Sequence, residues 1–342
     1  MTTLLAERRK GLALTFGLAA LALVVIAAIT VAIEARSSRP DLASGPVVPG
    51  LSESIGGAQR IIVTTADATY RIEKTERGWA MRDRGDYPVL ASRLQQLTDG
   101  LEQLHFQRRM TSDASKHERL GVTDPRQGGR GIMVQVEDGR GALLVNLIFG
   151  VETSGTYVRR PDDDQTWAVR EGETHLPPFR DVASWLDLRP LDMEAAQLAR
   201  VEIQPTVGRA YILGRDTAQA GFGIVSPPVQ PLAQSSVQEV AEKLTQLSPI
   251  DVQPAPAIQG PARARVRATT FEGIAIEAEL IDADGKTWVK LVARAATPEQ
   301  EQAALAINTR VAGWAYALST EEAAALAPPL SDLLPGVAAP AP

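Results

Sequence analysis

Cysteine is absent from the 342-residue chain. This excludes disulfides, thiolate metal sites and cysteine nucleophiles. Histidine is nearly absent too, with only His105, His117 and His175. The first two lie twelve positions apart and the third is remote, so none of them has the spacing of paired metal ligands. There is no basic excess: 35 Lys plus Arg stand against 41 Asp plus Glu, a net charge of −6. That balance argues against a dedicated nucleic-acid binder. The remaining composition, 44% hydrophobic and 22% charged, is that of a globular protein, which excludes wholesale disorder and fibrous architecture.

Signatures of catalysis are also missing. Gly285-Lys286-Thr287 resembles the end of a phosphate-binding loop, but position 280 holds Leu280 instead of the required glycine, so a hairpin turn is the better reading. Gly221-Phe222-Gly223 lacks the third glycine of a dinucleotide fingerprint, since Ser226 stands there. Asp162-Asp163-Asp164 has acidic density without the spacing of a calcium loop, and Asp282 and Asp284 flank a similar turn; both read as solvated hairpin tips. Neither a nucleophile elbow nor a Ser-His-Asp constellation stands out. The expectation is a protein that is not an enzyme, with no cofactor, no metal and no catalytic residues.

What the chain does have begins at its N-terminus. Residues 11–33, GLALTFGLAALALVVIAAITVAI, carry no charge. At about 1.5 Å per residue, such a helix spans a hydrocarbon core of about 30 Å. A cleaved signal peptide is the alternative, but Ile33 and Glu34 make a poor site before Ala35. Arg8, Arg9 and Lys10 precede the run, and Arg36 and Arg39 follow it. The positive-inside rule then leaves residues 1–10 in the cytoplasm and the rest outside the bacterial inner membrane, in the periplasm. Residues 34–58, rich in Pro, Gly and Ser, read as a flexible stalk.

Beyond the stalk the chain reads as one pattern written twice, over 59–190 and 191–334, with a disordered tail at 335–342. In the first copy Arg60-Ile61-Ile62-Val63, Tyr70–Lys74 and Gly78–Met81 are strands. Leu90, Leu94, Leu97, Leu101 and Leu104 recur at spacings of four and three, placing them on one face of a helix that ends at His105. Strands at 132–136 and 143–149 flank the turn Asp138-Gly139, and Thr156–Val158 and Trp167–Val169 flank the acidic turn. A short helix, Phe179–Leu188, closes the copy.

In the second copy Arg200–Ile203, Ala210–Leu213 and Gly221–Ile224 match the first three strands. Ser236 to Glu239 reads as a capping box opening a helix. Strands follow at 264–271, 273–281 and 287–294, then Trp314–Leu318 as counterpart of Trp167–Val169, then a helix at about 320–327. Strands, one helix and an antiparallel meander in each copy predict an α+β fold of two tandem units, each a mostly antiparallel sheet with a helix on one face. A repeat of about 140 residues in two copies points to domain duplication.

Two basic clusters remain, Arg108-Arg109 and the alternate Arg263, Arg265 and Arg267. Alternation puts the latter three on one strand face. The functional reading is a partner-contact or edge strip; the other is a solvated strand face.

Gly78-Trp79, then Asp86-Tyr87-Pro88 before the leucine-faced helix, then Leu120-Gly121-Val122-Thr123-Asp124-Pro125, form an ordered set with Leu147–Gly150 and Gly155–Arg159. This set resembles a bacterial family, the domain of unknown function 4340. Its members show a strand ending in Trp, a Tyr-Pro-Ala-Asp-like helix entry, a Gly-Leu-x-x-Pro turn and a strand ending in Leu-x-x-Gly. The resemblance covers about residues 60–190. The chain departs from the pattern at Val89-Leu90, where the acidic residue is missing, and at Leu120-Gly121-Val122, where the family has Gly-Leu. Both departures concern turns and caps.

The resemblance implies a membrane-anchored envelope protein, encoded beside an ABC-type transporter and a gliding-motility-like auxiliary protein. The expected role is a non-catalytic accessory subunit. Its partners would be the bilayer, through residues 11–33, and ABC permease or auxiliary proteins. An envelope module binding glycan or lipid through Trp79, Trp167 or Trp288 is the alternative, and a hydrolase is a second one.

Overall fold

The structure is a computed structural model that describes residues 45–152 and 155–334. The uncharged run 11–33, residues 1–10, the stalk up to Ser44 and the tail 335–342 lie outside the described residues. Among the described residues, no helix is long and apolar enough to cross a membrane.

The first unit holds strands β1 (Ala58–Thr64), β2 (Thr69–Thr75), β3 (Gly78–Met81) and β4 (Tyr87–Pro88), helix α1 (Ala91–Glu102), then β5 (His105–Arg109), β6 (Ile132–Asp138), β7 (Leu143–Glu152), β8 (Gly155–Arg159) and β9 (Trp167–Arg170). The second holds β10 (Leu198–Pro205), β11 (Tyr211–Gly214), β12 (Gly223–Ser226), helix α2 (Gln234–Glu242), β13 (Asp251–Pro254), β14 (Ala262–Thr270), β15 (Ile274–Ala283), β16 (Lys286–Ala295), helix α3 (Glu301–Val311), β17 (Trp314–Leu318) and helix α4 (Thr320–Leu326). These make two antiparallel sheets with a few helices, an α+β architecture.

The first sheet runs β4-β3-β2-β1-β6-β7-β8-β9-β5 and the second runs β12-β11-β10-β14-β15-β16-β17-β13. With β10 set against β1 and β13 against β5, the second order is the first without β4. The register agrees as well. A bulge falls between Ala58 and Arg60 where β1 meets β6, and another between Leu198 and Arg200 where β10 meets β14.

Pairing also gives counterparts across the units. Val158 faces Trp167, and Val289 faces Tyr316. Counted strand by strand from the bulges, Tyr316 is therefore the counterpart of Trp167. The matching of Trp167 to Trp314 by sequence is two residues off, a shift that keeps the face but moves the position.

One face of each sheet is covered by its helix. On α1, Leu97 and Leu101 are buried and Leu94 is partly so, and Leu104 beyond the helix is buried too. Leu90 is the N-cap, with ψ 121, and sits before the helix. His105 does not end α1; it opens β5, because the chain turns at Gln103-Leu104 and pairs with β9. On α2 the inward residues are Val237 and Ala241, followed by Leu244 and Leu247. That helix starts at Gln234, so Ser236 lies inside it and makes no cap. Gln234 and Gln238 instead secure the neighbouring chain. Gln234 donates to the Phe222 carbonyl and Gln238 accepts the Phe222 N–H, fixing the backbone as it enters β12.

The expected helix at Phe179–Leu188 is only a 3₁₀ turn, Val182–Trp185, with Asp181 capping the Ser184 N–H. Burial of Phe179, Trp185 and Leu186 holds this segment without a full helix. Strands β4, β5 and β13 and helix α3 are not among the elements expected from the sequence. Helix α3 covers the part of β16 that β17 does not reach, and the Asn308 side chain bonds both the N–H and the C=O of Ala293, as a neighbouring strand would.

Within the stalk expected to be flexible over 34–58, the described residues are ordered, and the first of them is Gly45. Its carbonyl accepts the Phe106 N–H, Val47 N–H donates to Leu104, and Pro46 pairs with His105. Val47 and Leu51 are each 2% exposed. Two apolar side chains in a Pro/Gly-rich stretch are enough to seat it on the sheet. The two units share one continuous apolar core.

Candidate functional site

Each sheet turns its other face outward, and the two outward faces differ. In the first unit the chain between β5 and β6 lies across this face. Leu120, Val122 and Met110 pack there on Met133, Ile148, Tyr157 and Ala168. Gly150 accepts that close approach, since any Cβ on it would collide with the Leu120 carbonyl. In the second unit the β13–β14 connection is short, and only Ile258 covers a small cluster of Ile281, Trp288, Ala315 and Ala317.

A cation pins both connections. Arg159 of β8, 6% exposed, donates through Nε to the Val122 carbonyl at 2.7 Å. Its counterpart by register, Lys290 of β16, donates through Nζ to the Ile258 carbonyl at 2.7 Å. Burial pulls the Arg159 pKa below the ordinary guanidinium value, while Asp124 and Asp164 act against that.

Arg263, Arg265 and Arg267 stand on the uncovered face of the second sheet. Strand β14 is fourth in an order of eight, so it is not an edge. Arg265 pairs with Glu279 at 2.9 Å, Arg267 with Glu277 at 4.0 Å, and Arg263, at a bulge, with Asp282 at 3.8 Å. Arg294 adds a contact to Glu277 at 3.0 Å. Across the strands the rows read Glu202–Arg267–Glu277–Val292 and Gln204–Arg265–Glu279–Lys290. Their counterparts on the covered face include Met133 and Ile148, at the positions of Arg265 and Glu279. Charge thus occupies the positions that a loop covers in the first unit. The lattice of half-exposed pairs encloses a shallow concavity of about 450 Å³.

A larger cleft of about 850 Å³ opens where the two units meet. One wall is the β2–β3 turn with Trp79 and Pro88; the other is the end of α3 with Arg310 and Trp314. Tyr87 links the walls. Its ring meets Trp314 edge-to-face at 4.9 Å and Tyr316 at 6.2 Å, and its hydroxyl donates to the Asp187 carbonyl at 2.7 Å. Burial raises the pKa of the Tyr87 and Tyr316 hydroxyls, so both remain donors at neutral pH.

Ion pairs cross the seam as well: Arg84 to Asp251 at 2.7 Å and Arg310 to Asp187 at 2.9 Å. Gly85, at φ 66, lies against Pro254 so closely that no Cβ fits. The two threonine hydroxyls in the cleft are engaged as well, Thr75 donating to the Gly78 carbonyl at 2.8 Å and Thr309 to Leu305 at 2.9 Å.

The histidines and the acidic turns lie elsewhere. His117 is buried at 4% exposure and donates through Nε2 to the Asp164 carbonyl at 2.9 Å, so it belongs to the loop packing on the first sheet. His105 donates to the Gln103 carbonyl, and exposed His175 pairs with Glu171. The Asp162–Asp164 turn is exposed, with Asp163 accepting the Gln165 N–H. Asp284 and Gly285, at φ 50 and 73, form the tight turn between β15 and β16. No group of three or more His, Asp or Glu among the described residues could hold a metal ion.

Of the three tryptophans considered as ligand platforms, Trp288 is buried and Trp167 packs on Phe106 at 4.9 Å. Only Trp79 faces the cleft. The seam depends on β4, which is the Tyr87-Pro88 of the family-like set, and on α3, which no sequence motif marks.

Among known proteins, no curated protein and no solved structure matches the chain. A family model does, and its match begins at Trp79 in β3 and runs into the second unit, further than the resemblance over 60–190. That model, described as a domain of unknown function (DUF4340), covers residues 79–261, more than half of the chain, and the protein belongs to this family.

Proposed function

We propose that this is a single-pass protein of the bacterial inner membrane that works by protein–protein contact, as a non-catalytic accessory subunit of an ABC-type transport system. Residues 11–33 are its anchor, and the two units, related by duplication, lie in the periplasm. The anchor restricts the units to the membrane plane and raises their effective concentration near membrane partners. The eleven residues from 34 to 44 extend over at most about 40 Å, so the first unit stays close to the bilayer.

The observation that carries the contact reading is the uncovered face of the second sheet. The same face of the first sheet is closed by its own chain, whereas this one presents Arg263, Arg265 and Arg267 interleaved with Glu277 and Glu279. Interleaved charge suits orientation-specific contact more than permanent burial.

The test is purification of tagged full-length protein from a mild detergent, with mass spectrometry of the proteins that come with it. The parallel samples are a chain lacking residues 1–33 and the double variant Arg265→Glu, Arg267→Glu. Stoichiometric permease and ATPase are expected with the parent chain. The double variant should reduce their recovery at least about tenfold, because two exposed contacts change sign. Recovery of the protein alone, where other membrane complexes survive, overturns the reading.

A further inference from the structure

We propose that the cleft between the units binds a neutral oligosaccharide. Its volume of about 850 Å³ lies in the range of small-ligand sites and accommodates about two to three sugar rings. Trp79 and Trp314 line it from different units, and each is only partly buried. An aromatic face is electron-rich. It attracts the polarised C–H bonds on one face of a pyranose ring.

Charge sets the class further. Asp187 is matched by Arg310 at 2.9 Å and Asp86 by Arg82 at 2.7 Å. That leaves neighbouring Glu76 and Arg77, of opposite sign, on the β2–β3 turn. A charged ligand meets no net field there. A carboxylate and a guanidinium on one turn can serve hydroxyls, one accepting and one donating. Thr75 donates to the Gly78 carbonyl and already accepts the Arg77 N–H at 3.2 Å, whereas Thr309, donating to Leu305, offers its oxygen as an acceptor. The walls are fixed by the Tyr87 hydroxyl bond and the Arg310–Asp187 pair, so binding orders little that is not already ordered.

This site is distinct from the contact face on the second sheet, and the test separates the two. Full-length protein in a detergent without a sugar headgroup is titrated calorimetrically with tri-N-acetylchitotriose, cellotriose and maltotriose, and with trialanine for comparison. At least one trisaccharide is expected to saturate a single site with Kd of about 10 µM to 1 mM. Trp79→Ala should weaken it at least about tenfold and Trp79→Phe by less than about threefold, since the second keeps a π face. Trp79 also packs on the core, so Arg77→Ala, on an exposed turn, is the variant that keeps the test valid if Trp79→Ala unfolds. It should weaken binding about threefold or more through one lost charge-assisted bond while recovery of membrane partners stays unchanged. No saturation by any of the three sugars below about 10 mM, unchanged affinity in both variants, or equal binding of trialanine would each overturn the proposal, the last in favour of a peptide site.

Discussion

Replacing Arg159 by Met tests how the first unit holds the chain that crosses its outward face. The guanidinium is 6% exposed and makes three bonds, all to carbonyls: Val122 at 2.7 Å, Arg160 at 3.1 Å and Pro161 at 3.3 Å. Methionine fills a similar volume without a donor. Bonds from a charged group contribute about 1.5–3 kcal/mol each, but removing the charge also removes its desolvation cost. The Val122 carbonyl, beside a residue of 0% exposure, is left without its cation. The net loss expected is about 2–4 kcal/mol. Lys290→Met is the internal comparison. It breaks one bond, to Ile258, at a partly exposed position, and should cost about 1 kcal/mol.

Urea unfolding gives the global values, and amide hydrogen exchange over residues 117–131 gives the local ones. If the crossing chain opens by itself, protection there falls about 30- to 1,000-fold in Arg159→Met while the β6–β7 ladder is unaffected. Equal losses in the two variants, with protection unchanged, would refute the claim that this cation pins the loop.

Three further outcomes follow from the same geometry. Gly85→Ala forces a side chain into φ 66 and against the Pro254 ring; the expected cost is at least about 2 kcal/mol, read as a lower melting temperature. Burial raises the pKa of Tyr70, Tyr87, Tyr211 and Tyr316, so their contribution is complete below the ordinary tyrosine value of about 10 and is lost as pH rises beyond it. Phenolate absorbance should therefore show these rings ionising together with alkaline unfolding, and free titration near the ordinary value would contradict it. Asp251→Ala removes the carboxylate that Arg84 reaches at 2.7 Å and Lys286 at 3.6 Å. It should lower stability by about 1 kcal/mol, since the Arg84 and Asp251 side chains are only 23% and 17% exposed, and high salt should narrow the difference.

The α+β class and the central strands were legible because alternation and leucine spacing report burial directly. Residues 262–270 alternate between exposed and buried nearly throughout, which is the pattern that named Arg263, Arg265 and Arg267. Elements without such a period leave no signal in the sequence. β4 has two residues, one buried and one exposed, and β13 has four with two prolines nearby. The four-and-three spacing continues through Leu104 and so points to a helix as far as His105, yet Leu104 is buried from the turn after the helix. The capping box at Ser236 failed for a related reason: tertiary demand for Gln234 and Gln238 at Phe222 moves the helix start upstream. The cleft was invisible because its walls come from residues more than 200 positions apart, and no local pattern encodes a meeting of Trp79 with Trp314.

Comparing the two units shows how one architecture carries two surfaces. The cation on β8 and on its counterpart β16 is kept as a tether to the connection that crosses the sheet, Arg159 for the first unit and Lys290 for the second. What differs is the length of that connection, 22 residues between β5 and β6 against seven between β13 and β14. A long connection covers Met133 and Ile148 and requires them apolar. A short one leaves Arg265 and Glu279 in water, where apolar side chains would form a patch prone to association. The arginine strip is thus the consequence of a missing cover, which explains its charge without reference to any partner. The contact proposal then rests on something beyond the presence of the arginines, namely that the lattice must be read by sign. If swapping Arg265 with Glu279 preserves both stability and partner recovery, the strip serves solvation alone and the contact lies elsewhere. If stability is preserved while recovery is lost, the order of the charges carries the recognition.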